Sequence, residues 1–229
     1  MKTSDLRLER EQRRREGCRE VILHAAERVI LRKGFSAMRM DDVAREAQFS
    51  KATLYKYFSG KGVLLFEIMG HYFDETGRRL AAILAESASA GEKLRRSIRA
   101  ILEYHAEKEN ITRVLWMDDA MLRVMRVFAA APGKTQAVTA TDRKMRGLLQ
   151  EKRREVMSTA AQIIEDGVAA GEFRRMDAAE AVEFIEAVVE GYAHGLLWAG
   201  KTVTPEAADG LTRFIVDGIR NPGRIRKEK

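Results

Sequence analysis

The sequence predicts an all-α chain, and three observations carry that reading. Apolar residues recur at helical spacing in segment after segment. Only three prolines, Pro132, Pro205 and Pro222, interrupt 229 residues. The stretches between breakers are rich in Ala, Leu, Glu and Arg and show no alternating β-branched runs. At this length, with 45% hydrophobic residues, the chain can bury a real core, so disorder is excluded as the main state.

The elements follow in order. Residues 7–20 form a charged arm with Glu9/Arg13 and Glu11/Arg15 at i,i+4, so the arm either extends the first helix or carries Arg13, Arg14 and Arg15 into a DNA minor groove. Ile22, Ala25, Ala26 and Val29 give the first helix its apolar face, and Lys33-Gly34 ends it. Two short helices are expected between Met40 and Phe58. A longer one follows Lys61, with Ile68, Met69, Phe73, Leu80 and Leu84 on its stripe. After a loop at residues 87–91, Leu94, Ile98, Ile101 and His105 mark the next. Further helices are expected over residues 114–128, 145–168, Ala178–Trp198 and Pro205–Ile219, giving about nine in all. Thr204 is placed to cap the last, with Pro205 in its first turn.

Charge is unevenly spread. Residues 1–62 hold 15 Lys and Arg against nine Asp and Glu, whereas residues 63–229 hold 26 against 25. A basic N-terminal module on a near-neutral body is the electrostatic footprint of a polyanion binder, and equally that of a solvated basic face. The lone Cys18 cannot form an internal disulfide, which points to a reducing, cytoplasmic setting. The first twenty residues contain no apolar run long enough for a signal peptide, and no stretch of about 18 uncharged apolar residues suggests a membrane span.

The run Met40–Phe58 has the layout of a helix-turn-helix. Val43, Leu54 and Phe58 supply apolar packing, and Ala44 and Ala47 are small where two helices must approach. Ser50 is placed as N-cap of the second helix, leaving first-turn N–H groups to face a phosphate. Along that helix Lys51, Thr53, Tyr55, Lys56 and Tyr57 are donors of the kind that reach base edges and phosphates in a major groove.

At these residues the sequence resembles the tetracycline-repressor-like (TetR) family of bacterial transcription regulators. The resemblance is densest from Ile22 to Met69, through MDDVAREA, FSKATLYKYF and SGKGVLLFEIM. It implies a three-helix, homeodomain-like DNA-binding domain at residues 18–62, preceded by an arm at 1–17 and followed by a ligand-binding and dimerisation domain at 63–229. Thr53, Tyr55 and Tyr57 then look like positioning or base-contacting residues, with packing of Tyr57 against the first helix as its alternative. Lys56 looks like a side chain that varies with the operator, and Lys61 like a phosphate clamp. Two departures stand out. Gln48 occupies a turn position where the family often has glycine, which costs on the order of 1 kcal/mol if φ is positive. Arg39 replaces the usual Ser or Thr cap, in exchange for a possible phosphate or minor-groove contact.

In the body, Asp118 falls within the stripe of Val114, Met117, Met121, Val124, Met125 and Phe128; it lies either at the stripe's edge beside an arginine or against something polar in a cavity. His105 and Lys152 sit on apolar stripes of their own. Together with Met69, Phe73, Trp116, Met121 and Met125 they form a candidate lining for a small apolar effector, the alternative being ordinary core and snorkelling side chains. His71 and His194 fall on polar faces and are expected to be solvated. By analogy with the family, Phe184, Val188, Gly191, Gly195, Leu211, Phe214 and Ile215 are expected at a homodimer interface, which predicts a palindromic operator on double-stranded DNA. The implied function is a repressor released by its effector; the alternatives are an activator, or a DNA-binding or adaptor protein without an effector. An enzyme is not expected. The histidines are scattered, no His-Glu-x-x-His spacing or glycine-rich phosphate loop occurs, and no cofactor or metal is anticipated.

Overall fold

The structure, a computed structural model, describes residues 3–108, 111 and 140–221. Eight helices follow one another among them: α1 (Thr3–Lys33), α2 (Met40–Glu46), α3 (Lys51–Tyr57), α4 (Lys61–Leu84), α5 (Ala90–Glu107), α6 (Ala140–Ala169), α7 (Ala178–Trp198) and α8 (Pro205–Ile219). One antiparallel bridge joins Phe173 to Arg220, and the all-α expectation holds. The helix expected over residues 114–128 lies outside the described residues, and with it Trp116, Asp118, Met121 and Met125. The chain divides into two compact units, residues 1–70 with 110–146 and residues 71–109 with 147–229.

In the first unit the charged arm is helical from Thr3, and residues 6–17 are all exposed, so the arm extends α1. Burial begins at Ile22 and continues through Leu23, Ala25, Ala26, Val29 and Ile30, one face of the 3.6-residue period. Gly34 stops the helix at φ 77°, a left-handed conformation that a Cβ would oppose, and its N–H reaches the Ile30 carbonyl at 2.8 Å. Phe35, Met38, Val43, Leu54, Phe58, Leu64 and Leu65 complete this core. Each fully buried side chain of that size contributes about 1.5–3 kcal/mol.

The second core draws Leu94, Ile98 and Leu102 from α5, Ile163 and Ile164 from α6, Val182, Val189 and Ala193 from α7, and Ala208, Ile215 and Val216 from α8. Ser89 caps α5 by accepting the Glu92 N–H at 3.2 Å, so the helix takes in Ala90 and Gly91, which pattern alone leaves in a loop. Thr204 caps α8 as expected, accepting the Ala207 N–H at 3.3 Å ahead of Pro205. Gly167 is required where it stands, because a methyl group there would collide with the Phe173 ring and Ala90. No described helix is long and apolar enough to cross a membrane.

Candidate DNA-binding surface

The turn between α2 and α3 is set by three local features. Ala47 ends α2, and Gln48 follows at φ 59°, the left-handed conformation that the sequence flagged as a strain. The Phe49 N–H bonds to the Ala44 carbonyl at 2.9 Å and the Gln48 N–H to Arg45 at 3.2 Å, the paired bonds of a Schellman ending. Ser50 then opens α3, its Oγ accepting the Thr53 N–H at 3.0 Å and lying 2.8 Å from the Thr53 hydroxyl. At the start of α2 the Arg39 side chain makes no cap. Asp42 supplies the missing half, its carboxylate accepting the Arg39 N–H at 3.2 Å.

Leu54 turns fully into the core, and that orientation aims the opposite side of α3 outward. Lys51, Tyr55 and Lys56 of α3 are exposed, as is Arg39 at the entry to α2. Arg39 and Lys56 carry no ion pair among the described residues. Lys51 reaches Asp41 at 2.8 Å, and that pairing raises its pKa. Other cations of the basic segment are committed to acids: Arg32 and Arg28 meet Glu46 at 2.5 and 2.6 Å, and Lys33 meets Asp42 at 2.9 Å. These hydrogen bonds hold the Glu46 and Asp42 carboxyls below their ordinary range. Part of the positive excess therefore fastens α1 to α2, while Arg39 and Lys56 face outward.

Two expected DNA contacts have structural duties. Lys61 donates to the carbonyls of Ser36 at 3.0 Å and Phe35 at 3.3 Å, its ammonium 5.1 Å from the Phe35 ring centroid. It pins the segment between α1 and α2. Tyr57 is half-buried against the first core, and the nearby Cys18 thiol of α1 raises its pKa. Arg39, Asp41, Lys51, Tyr55 and Lys61, with Met38, border an open cleft of about 590 Å³. Arg19, which sequence reasoning passed over, donates to the Tyr57 carbonyl at 3.3 Å and lies 4.6 Å from the Phe58 ring centroid.

Residues 22–68 match the sequence model described as bacterial regulatory proteins of the tetR family, and residues 120–221 match that of the BetI-type transcriptional repressor C-terminal domain. The chain belongs to the TetR family of transcriptional regulators. Among curated TetR-family relatives, the HTH-type regulator YhgD of Bacillus subtilis is 25% identical over 69% of this chain and 73% of its own length. YdeS of the same organism is 43% identical over 24% of this chain and 27% of its own. BetI of Brucella suis is 29% identical over 48% of this chain and 60% of its own. The chain thus spans less than two thirds of YdeS and of BetI. Of solved structures, a TetR/AcrR-family regulator from Thermobifida fusca is 27% identical, with a TM-score of 0.57 over 88% of this chain and 98% of that one. FadR of Bacillus subtilis, solved with stearoyl-CoA, is 19% identical, with a TM-score of 0.65 over 88% and 99%.

The remaining candidate residues of this TetR-family chain separate by unit. Met69 packs against the first core, whereas Phe73, in the second unit, meets Tyr72 edge-on, ring centroids 5.6 Å apart. Lys152 is half-buried and paired with Asp74. His105 is 5% exposed and bonds to Tyr72 and Glu190. His71 is exposed as expected, but His194 is not solvated: it is 9% exposed beside Glu190. On α7 and α8, Phe184, Val188 and Phe214 are 64%, 41% and 74% exposed. Gly191 and Gly195 continue the same side of α7, with open space where a Cβ would stand. Leu211 is half-buried, and Ile215 is turned into the core of its own unit, so it does not belong to the outward face.

Proposed function

We propose that this regulator is a cytoplasmic homodimeric repressor that holds a palindromic operator and releases it when a small apolar effector binds the second unit. The observation that carries the reading is the outward row Lys51, Tyr55 and Lys56 on a helix whose other side is fixed by fully buried Leu54. Such a helix can enter a major groove, and two of them about 34–36 Å apart would read successive half-sites. The exposed apolar residues Phe184, Val188, Trp198 and Phe214 on α7 and α8 supply a self-complementary surface for a two-fold pair. The repressor role is supported by the description of the matched C-terminal domain. The effector reading is supported by FadR, which holds stearoyl-CoA on a similar fold. Release then follows if the effector binds the low-affinity state more tightly than the operator-bound state.

The test is selection of the purified chain on a random duplex library, with its mass measured by sedimentation. The expected result is an enriched inverted repeat bound by a dimer. Enrichment of a single unrepeated site, or a monomer at micromolar concentration, overturns the dimeric reading.

A further inference from the structure

Four polar side chains that the DNA-binding reading does not use converge within the second unit: Tyr72 of α4, His105 of α5, and Glu190 and His194 of α7. Glu190 Oε1 accepts the Tyr72 hydroxyl at 2.8 Å and lies 3.1 Å from His105 Nε2, and Glu190 Oε2 lies 3.6 Å from His194 Nε2. The imidazoles stand nearly perpendicular, ring centroids 5.8 Å apart at 82°. One ligand atom from each of His105, Glu190 and His194 can be chosen so that all lie within 4.8 Å of one another. Glu190 and His194 share a face because they are four residues apart on one helix, and α5 brings His105 to meet them.

We propose that His105, Glu190 and His194 form a binding site for a divalent transition-metal ion of the zinc class. Zinc bound to imidazole nitrogen and carboxylate oxygen at about 2.0–2.2 Å places tetrahedral ligand atoms roughly 3.4 Å apart. His105 Nε2 lies 3.1 Å from one Glu190 oxygen and His194 Nε2 3.6 Å from the other, both near that spacing, and one ligand atom from each of the three residues falls within 4.8 Å of the other two. Two imidazoles and one carboxylate suit zinc, cobalt or nickel better than magnesium or calcium, which take oxygen-rich shells. No Lys or Arg pairs with Glu190 among the described residues, so a cation there would answer a buried negative charge. Three protein ligands are one short of the usual four for zinc, and the Tyr72 hydroxyl lies beside them, 2.8 Å from Glu190 Oε1 and 3.1 Å from His105 Nε2. The site is a property of the second unit and stands whether or not the regulatory reading does.

The experiment is titration of tag-free, chelator-treated full chain with Co²⁺, followed by Zn²⁺. The expected result is visible d–d absorption that saturates at about one Co²⁺ per chain and is displaced by Zn²⁺. Glu190→Gln and His194→Asn should each weaken binding at least tenfold, about the least that losing a ligand costs when outer-shell changes already cost 10–100-fold. Tyr72→Phe should retain it. The chain has only four histidines and one cysteine, so a His24→Gln/His71→Gln/Cys18→Ser variant locates the ion by elimination even where core variants do not fold. Retention of the bands in that variant supports the site. Absence of bands in the wild type, their loss in that variant, or their survival in both folded Glu190→Gln and His194→Asn proteins overturns it.

Discussion

Arg19 and Glu67 meet at 2.5 Å, joining α1 to α4 across 48 residues, and both are about three-quarters buried. Arg19 also holds the Tyr57 carbonyl at the end of α3, so one guanidinium fixes where that helix stops. Arg19→Ala removes a largely buried pair together with the packing of its stem on Phe58, and should cost about 1–3 kcal/mol in urea denaturation. Operator affinity should fall with it although Arg19 is not among the outward donors of α3.

Gln48 sits at φ 59° with its side chain exposed, so its conformation is imposed by the turn. Gln48→Gly should stabilise the protein by about 0.5–1 kcal/mol in the same assay, and Gln48→Val should destabilise it by more. Equal stability of all three proteins would show that the turn stores no strain.

Phe184 and Phe214 lie mostly outside their own core, so Glu at both positions should leave the monomer's helical content and first-unit fold unchanged. Analytical ultracentrifugation should then show the double variant as a monomer where the wild type is a dimer. A double variant that still dimerises would place the partner surface elsewhere.

Glu75 accepts hydrogen bonds from Arg78 and then Arg79, which lower its pKa to about 2. Its folded pKa is below the unfolded value of 4.5, so its contribution to stability is present above pH 4.5 and fades as pH falls towards 2. The urea midpoints of wild type and Glu75→Gln should therefore differ at pH 5 and converge as pH approaches 2. A constant gap across that window would contradict the assignment.

Much of the DNA-binding module was legible in the sequence because its determinants are local. The Ser50 cap, the strained Gln48 turn and the inward Leu54 all lie within a few residues of one another. What escaped were partners distant in sequence, such as Arg19 with Glu67, or Lys61 with the Phe35 and Ser36 carbonyls, since helical periodicity says nothing about which helices meet. Asp42 could have been found: an acid three residues after a cap position is half of a capping box. α7 misled for a different reason. Its outward side carries Phe184, Val188 and Trp198, while its inward side holds Val189 and Ala193 flanked by Glu190 and His194. With both sides apolar, periodicity alone places His194 on a solvent-facing side, whereas it is buried.

If α3 docks in a DNA groove through its outward side chains, operator binding must depend on salt and on Tyr55 and Lys56. Fluorescence anisotropy on the selected duplex across a range of salt concentrations, for wild type and Tyr55→Ala/Lys56→Ala, tests it most directly. Wild-type affinity should fall steeply and linearly on a log–log plot, and the folded double variant should bind at least about tenfold more weakly, its slope shallower by roughly 0.9 for the lost Lys56 phosphate contact. Salt-independent binding, or a folded double variant with undiminished affinity, would contradict it.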